Sequence, residues 1–130
     1  MLVNLKKLNV KDNKISTTRG LGTFIGLEEL NVGRNELTNV SMFGSGSFDR
    51  LEVLWLAENQ ITDVACLGNL PRLSFLDLQK NPINATDIVA LQEELHESTV
   101  ILFWTTYVLG QYTQSEEVQY ICKMNAHVLL

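Results

Sequence analysis

Residues 51–61 read LEVLWLAENQI, and this stretch decides the fold because the chain repeats its pattern three more times. Leucines stand at the first and fourth places, aliphatic residues at the sixth and eleventh, and an asparagine at the ninth. The other copies are LKKLNVKDNKI (5–15), LEELNVGRNEL (27–37) and LSFLDLQKNPI (73–83), so successive units begin 22, 24 and 22 residues apart. One unit cannot bury its apolar side alone, so this regular spacing predicts a stack of similar coils that share one elongated core.

Each unit is predicted to contain a short strand followed by a turn. Side chains alternate between the two faces of a strand, so places four and six, which hold Leu or Val throughout, point into the core. The asparagines of the ninth place are Asn13, Asn35, Asn59 and Asn81. They stand where the chain leaves the strand and its backbone loses ladder partners, and a side-chain amide has the donors and the acceptor that replace them.

Length and composition limit the classes of function. At 130 residues the chain is one domain, and its formal net charge of −5 does not favour nucleic acid or an anionic membrane as a partner. No apolar run is long enough to span a bilayer, and we expect no secretory signal.

Cys66 and Cys122 have no metal-ligand spacing, which favours a reduced, intracellular setting with Cys66 as a small core residue. The sequons at Asn39 and Asn84 point instead to an extracellular setting.

After the fourth unit the apolar period becomes that of a helix. In ATDIVALQEELHES (85–98), Ile88, Leu91 and Leu95 are three and four residues apart, and Thr86 is the expected N-cap. The first return segment, residues 16–26, carries glycines at 20, 22 and 26 instead, which argue against a long helix there, whereas the third has Val64, Leu67 and Leu70 at helix-like intervals.

A fifth strand and a tail are expected to complete the chain. Residues 100–104 form the strand, with Val100 and Leu102 in the inward places. In the tail, SEEVQYIC (115–122) offers Ser115 as an N-cap and apolar residues on one face, which predicts a short helix that closes the stack. The predicted division is residues 1–104, comprising four full units and a capping strand, and residues 105–130, a partly helical tail.

No catalytic or metal-binding pattern is found. His96 lies near the end of the first predicted helix and His127 near the end of the second. Neither has a cysteine, serine or second histidine at a spacing that would form a nucleophile–base pair or a zinc site. No phosphate-binding glycine motif is present. We therefore expect neither an enzyme nor a cofactor.

The informative residues are those that the register directs away from the core. The candidate partner-binding residues, which gather on the outward face of the third to fifth strands, are Val53, Trp55, Ala57, Phe75, Asp77, Ile101, Phe103 and Trp104. An apolar cluster in a solvent-facing position needs a cover. Three alternatives are open: a protein partner, the chain's own tail (Tyr107–Leu109 and Val128–Leu130), or isolated aromatic residues of no consequence.

The eighth place of the units alternates in charge. Its residues are Asp12, Arg34, Glu58 and Lys80. Neighbouring strands bring such residues side by side, so we expect ion pairs between coils, each contributing some tenths of a kcal/mol when exposed.

The units in residues 27–83 and the helix after them resemble those of the leucine-rich repeat proteins, and specifically the intracellular branch with repeats of about 22 residues. That branch includes regulatory subunits of protein phosphatase 1, the A-prime protein of a spliceosomal ribonucleoprotein and the light chain 1 of axonemal outer-arm dynein. The resemblance implies an α/β fold: a leucine-rich repeat solenoid with a curved parallel sheet, short helical or irregular return segments and a C-terminal helical cap.

The resemblance also implies a class of function. We expect a non-catalytic module that binds a protein partner on its concave face, as a subunit or adaptor of a larger intracellular assembly. The expected location is the cytoplasm, with a cytoskeletal or ciliary setting as the narrower expectation. A regulatory subunit of an enzyme such as a phosphatase and an extracellular recognition domain are the alternatives.

Overall fold

The computed structural model describes residues 4–105, 108–109, 112–113 and 117–121 of the chain, with side chains up to residue 103. Its main sheet has six strands, which are Lys7–Asn9 (β1), Glu29–Asn31 (β2), Val53–Trp55 (β3), Phe75–Asp77 (β4), Val100–Thr105 (β5) and Glu117–Ile121 (β8). They lie in the order β1-β2-β3-β4-β5-β8 across the sheet. The first five run parallel, and β8 pairs antiparallel with β5. The strands β6 (Val108–Leu109) and β7 (Tyr112–Thr113) form a separate antiparallel pair.

The predicted units are confirmed as successive coils. Each contributes one strand from its third to fifth place, and the fourth-place leucines lie opposite each other in the pairings of β1 to β4. From the second coil onward these leucines are fully buried: Leu30, Leu54 and Leu76. A shared core behind the sheet therefore holds the coils together.

The return segments are short helical or irregular pieces, as the expected solenoid fold predicted. They contain 3-10 helices at Leu21–Thr23, Ser41–Gly44 and Ala65–Asn69. Their apolar side chains fill the side of the core opposite the sheet, where the rings of Phe43 and Phe48 lie 4.8 Å apart between centroids.

The asparagines of the ninth place connect neighbouring coils. Asn59 donates through its side-chain amide to the carbonyl of Val32 in the preceding coil (3.0 Å) and to that of Leu56 in its own (3.0 Å). Its Oδ1 accepts a hydrogen bond from Leu37 N at 2.9 Å. The second and fourth coils repeat this arrangement with their own asparagines. The buried members of the ladder are Asn35, Asn59 and Asn81, whereas Asn13 is exposed and, among the described residues, its side chain bonds within its own coil.

The residue before each asparagine has a left-handed backbone. The φ angles are 61° at Asp12, 53° at Arg34, 57° at Glu58 and 55° at Lys80. This region is uncommon for residues other than glycine. Its recurrence at the eighth place shows that every coil makes the same turn immediately before its asparagine. Side-chain type did not predict this, because none of these residues is a glycine or an asparagine.

The helix after the fourth coil is confirmed as α1 (Ala85–Glu94). Ile88, Leu91 and Leu95 are buried, as their spacing predicted. The N-cap prediction was wrong: Asn84 occupies that position, and Thr86 lies inside the first turn.

The predicted register of the fifth strand was wrong by one residue. Ile101, not Val100, lies opposite Leu76 and is fully buried. The hydroxyl of Thr99 donates to the carbonyl of Leu73 at 2.7 Å and is buried just before the strand, which helps to set this register. The apolar run VILF contains no polar residue to mark a face, and a shift of one residue exchanges the faces of every side chain.

The helix predicted in the tail was also wrong where the structure describes it. Glu117–Ile121 is a strand that pairs with β5. An unpaired edge of β5 would leave its N–H and C=O groups without partners, and the sequence EVQYI carries residue types that favour strands. Ser115 and Cys122, the other members of that prediction, lie outside the described residues.

The ladder makes a testable prediction about stability. Replacing Asn59 with Ala leaves a buried N–H and buried carbonyls without partners, so we expect the free energy of unfolding to fall by roughly 3 kcal/mol. The matched control, Asn13→Ala, removes bonds at an exposed site and should cost less than about 1 kcal/mol. Urea denaturation followed by circular dichroism measures both. Equal losses for the two variants would contradict the role assigned to the ladder.

Candidate functional site

The open face of the sheet is the face turned away from the core, and it is the face that the sequence analysis expected to be concave. It is formed by the third and fifth places of the units, which flank the fourth place of each strand, and it is extended by the seventh place just after the strand. The fourth place is buried in β2, β3 and β4. Of the candidate partner-binding residues, the structure places five here, all half-buried: Val53, Trp55, Ala57, Phe75 and Asp77.

Two aromatic rings lie side by side at the centre of the open face. The ring centroids of Trp55 and Phe75 are 5.9 Å apart, and the ring planes are inclined at 54°. Val53 lies beside Phe75 in the pairing of β3 with β4. Tilted ring pairs at this distance are favourable beyond the area that they bury. The three residues form one continuous apolar patch, so the aromatic residues are not isolated.

The corrected register changes the contribution of β5 to this patch. Ile101 and Phe103 were predicted on the open face, but both are buried in the core. Val100 and Leu102 take their places, half-buried, opposite Phe75 and Asp77 respectively. The patch therefore remains apolar at β5, with different residues. Trp104, the last candidate, has a described backbone in β5, and its side chain lies outside the described part.

The first two coils give the open face a charged sector. Lys7 Nζ lies 3.1 Å from Glu29 Oε1 on this face, and just before the two strands Lys6 Nζ lies 3.3 Å from Glu28 Oε1. These exposed pairs contribute little to stability. The open face is therefore polar across β1 and β2 and apolar from β3 to β5.

The ion pairs predicted at the eighth place are present around Arg34. Its Nε lies 3.1 Å from Asp12 Oδ1 and 3.6 Å from Glu58 Oε2, so one guanidinium links three coils. All three side chains are largely exposed, which keeps the contribution of each pair small.

The fifth place holds a feature that the sequence analysis missed. In three coils its side-chain oxygen accepts a hydrogen bond from the backbone N–H two residues later: Asn9 from Lys11 N (3.0 Å), Asn31 from Gly33 N (2.9 Å) and Asp77 from Gln79 N (3.0 Å). In the third coil the place is occupied by Trp55, which has no acceptor. The fifth-place residues of the four coils are Asn, Asn, Trp and Asp, and comparing them would have identified the third coil as the one without an acceptor.

Because Trp55 has no side-chain acceptor, the backbone N–H of Ala57 at the open face has no such hydrogen bond. Among the described residues, no group accepts a hydrogen bond from Ala57 N. Trp55 and Ala57 line a shallow pocket of about 250 Å³, together with Gly33 and charged or polar side chains of neighbouring coils.

Other candidate chemistry is sparse in the described part of the chain. There, no group of three or more His, Cys, Asp or Glu side chains is placed to hold a metal ion. Cys66 packs half-buried against the core, and its thiol donates to the carbonyl of Val40 at 3.1 Å. Burial raises the pKa of the Cys66 thiol, and the nearby negative charge of Asp63 raises this pKa further. The helices of the described residues include none that is long and apolar enough to cross a bilayer.

Comparisons with known proteins agree with this architecture. The family model described as "Leucine rich repeat" matches residues 25–83. An internalin of Listeria monocytogenes is 28% identical over 69% of this chain, with a TM-score of 0.60. A leucine-rich repeat protein of Leptospira interrogans is 25% identical over 77% of this chain, with a TM-score of 0.68. The chain spans 26% of the length of each of these two structures. No curated protein matches the sequence.

The coils, the asparagine ladder and these matches define the class: the described structure is a leucine-rich repeat solenoid, and residues 25–83 are leucine-rich repeat sequence. Proteins of this class generally mediate protein–protein interactions. The comparisons do not single out the intracellular branch with the phosphatase regulators and the dynein light chain.

The corrected register of β5 predicts a contrast between neighbouring residues. Ile101→Ala opens a cavity in the core and should lower the free energy of unfolding by about 2–5 kcal/mol. Val100→Ala, on the half-exposed side of the same strand, should cost about 1 kcal/mol. Denaturant melts of the two variants test this, and a larger loss for Val100→Ala would restore the register first predicted.

The ring pair predicts an energetic coupling. A double-mutant cycle with Trp55→Ala and Phe75→Ala should give an interaction free energy of about 1 kcal/mol, because each ring loses its tilted neighbour. The measurement is the unfolding free energy of the wild type, both single variants and the double variant. Strictly additive losses would show that the rings do not support each other.

Proposed function

We propose that this chain is a non-catalytic module that binds a protein partner on the open face of its sheet. The observation that carries the proposal is the continuous apolar patch around Trp55 and Phe75. The core of the protein is complete behind the sheet, so these half-exposed rings are not required to fill it. Clusters of this kind mark interaction sites more often than ordinary surface does.

The apolar and polar parts of the open face have different roles in the proposed binding. Trp is enriched among the residues that dominate binding energy, and such residues lie near the centre of an interface, where a partner excludes water. Trp55 and Phe75 would be the anchors. The ion-paired residues of β1 and β2 would form a polar sector that orients the partner and contributes less to affinity.

The proposal extends to a place in a larger assembly. A module that acts only by binding holds its partner, as a subunit or an adaptor does. The spacing of the repeats supports an intracellular, cytoskeletal or ciliary assembly through the resemblance noted above.

Capture of a partner tests the proposed surface. The purified domain is immobilised, incubated with extract of the native source, and the bound proteins are quantified by mass spectrometry. The double variant Trp55→Ala/Phe75→Ala should lose at least about tenfold of the specifically captured protein, since two anchors of this kind are each worth 1 kcal/mol or more.

The matched control is Ile25→Ala/Val89→Ala. These two side chains are apolar and more exposed than either ring, at 54% each, and they lie outside the sheet. This variant should capture the partner as the wild type does. Circular dichroism must show both variants folded. Undiminished capture by Trp55→Ala/Phe75→Ala, or equal loss with the control, would reject the open face as the binding surface.

A further inference from the structure

The first coil has an apolar outer side. At its sixth and eleventh places, Val10 and Ile15 are half-buried, whereas Val32 and Leu37 at the same places of the second coil are fully buried. These side chains have the positions of core residues, but among the described residues only the second coil packs against them. The outer side of the first coil is therefore an apolar surface that needs a covering layer.

The backbone of the first coil also has an unpaired edge. In β2, β3 and β4, the third-place N–H donates to the second-place carbonyl of the preceding coil at 2.9 to 3.1 Å. The ninth-place asparagines of these coils accept a hydrogen bond from the preceding coil as well. In the first coil, Lys7 N–H and Asn13 Oδ1 have no such partner among the described residues. A strand added beside β1 would supply partners to this whole edge.

β8 is the strand at the other edge of the sheet. Among the described residues it pairs with β5 alone, so its outer side presents a second row of backbone donors and acceptors. Its Ile121 lies opposite Ile101, which is itself opposite the fourth-place Leu76. β8 and β1 therefore have the same height on opposite edges of the sheet. Three residues are enough for such a pairing, because the pairs from β1 to β4 have no more.

The two edges of the sheet differ in charge. The first coil, residues 5–26, contains five Lys or Arg and one Asp, whereas residues 81–122, the acidic segment, contain six Asp or Glu and no Lys or Arg. Lys11, Lys14 and Arg19 are exposed and have no ion pair among the described residues. The other two lysines of the first coil already pair with glutamates of the second. Three cations of the first coil therefore remain to attract an acidic surface.

We propose that a second copy of this chain docks on the first coil, with β1 of one copy pairing antiparallel with β8 of the next. The basic first coil then meets the acidic segment of its neighbour, which includes Glu93 in α1 and Glu117 in β8. Two β1 edges would bring like charges together, so the contact is head to tail. Such a contact does not close between two copies, so further copies extend the stack. The open face stays free for the protein partner of the proposed function.

Sedimentation velocity of the purified chain tests the self-association. The mean mass should rise with protein concentration beyond the mass of a dimer. Salt at about 0.5 M should weaken each contact roughly tenfold, because it screens exposed charges. A monomer at every concentration up to about 1 mM would overturn the proposal, since even a weak contact is half occupied there. A mass that stops at the dimer would overturn it too, because it indicates a closed, head-to-head contact.

Two charge-reversal variants test which surfaces meet. Lys14→Glu/Arg19→Glu alters the first coil, and Glu93→Lys/Glu117→Lys alters the acidic segment. Each variant alone should associate at least about tenfold more weakly than the wild type, since weak attractions become repulsions. In an equimolar mixture, the unaltered first coil of the second variant can meet the unaltered acidic segment of the first. Pairs of the two variants should therefore form with wild-type affinity, and a mixture that stays monomeric would show that the contact is not head to tail.

The controls separate this inference from the proposed function. Lys14→Arg/Arg19→Lys keeps both charges and should associate as the wild type does, and circular dichroism must show every variant folded. Trp55→Ala/Phe75→Ala should also associate normally, and Lys14→Glu/Arg19→Glu should still capture the protein partner. Loss of self-association in the ring variant, or loss of capture in the charge variant, would mean that both contacts use one surface and would overturn the edge-to-edge arrangement.

Discussion

The structure depends on one recurring interaction, that of the buried asparagine at the ninth place of the second, third and fourth coils. Its amide donates to carbonyls of two successive coils, and its oxygen accepts from a backbone N–H of the preceding one. Buried backbone groups without partners are costly, so this side chain makes an irregular turn possible inside a packed core. Because the same turn recurs from Asn35 to Asn81, the coils stack in one phase and their strands form one sheet.

That common phase also determines what the open face presents. Since every strand has its fourth place in the core, the third and fifth places of all coils lie on one surface, and each coil contributes its own chemistry there. The first two coils contribute ion pairs, and the third and fourth contribute Trp55 and Phe75. In the third coil, the side chain of the fifth place does not accept a hydrogen bond from the backbone N–H two residues later. A tryptophan in place of an asparagine or aspartate removes an internal hydrogen bond and adds a half-buried ring, which fits the proposed role of that ring in binding a partner.

The sequence predicted most of the fold because the repeat pattern carries independent signals for the strand, the turn and the core. Leu54 and Asn59 could be placed correctly from spacing alone. Prediction failed where those signals end. The strand after α1 has no asparagine and four successive apolar residues, so nothing in its pattern distinguished Ile101 from Val100, and the tertiary bond of Thr99 to Leu73 was needed to set the register. That the Ala57 amide has no side-chain acceptor was not predicted for a different reason. This feature is found by comparing the fifth place across the coils, not from any motif within one coil.

Hydrogen exchange of backbone amides tests the central claim, that the ladder sets the phase which brings Trp55 and Ala57 to the open face. The Leu37 and Ile61 amides donate to the buried oxygens of Asn59 and Asn81. They should exchange only through global unfolding, with protection that falls in parallel with the unfolding free energy as urea is added. The Ala57 amide should exchange much faster under the same conditions. Rapid exchange of Leu37 and Ile61, or an Ala57 amide as protected as they are, would contradict the account.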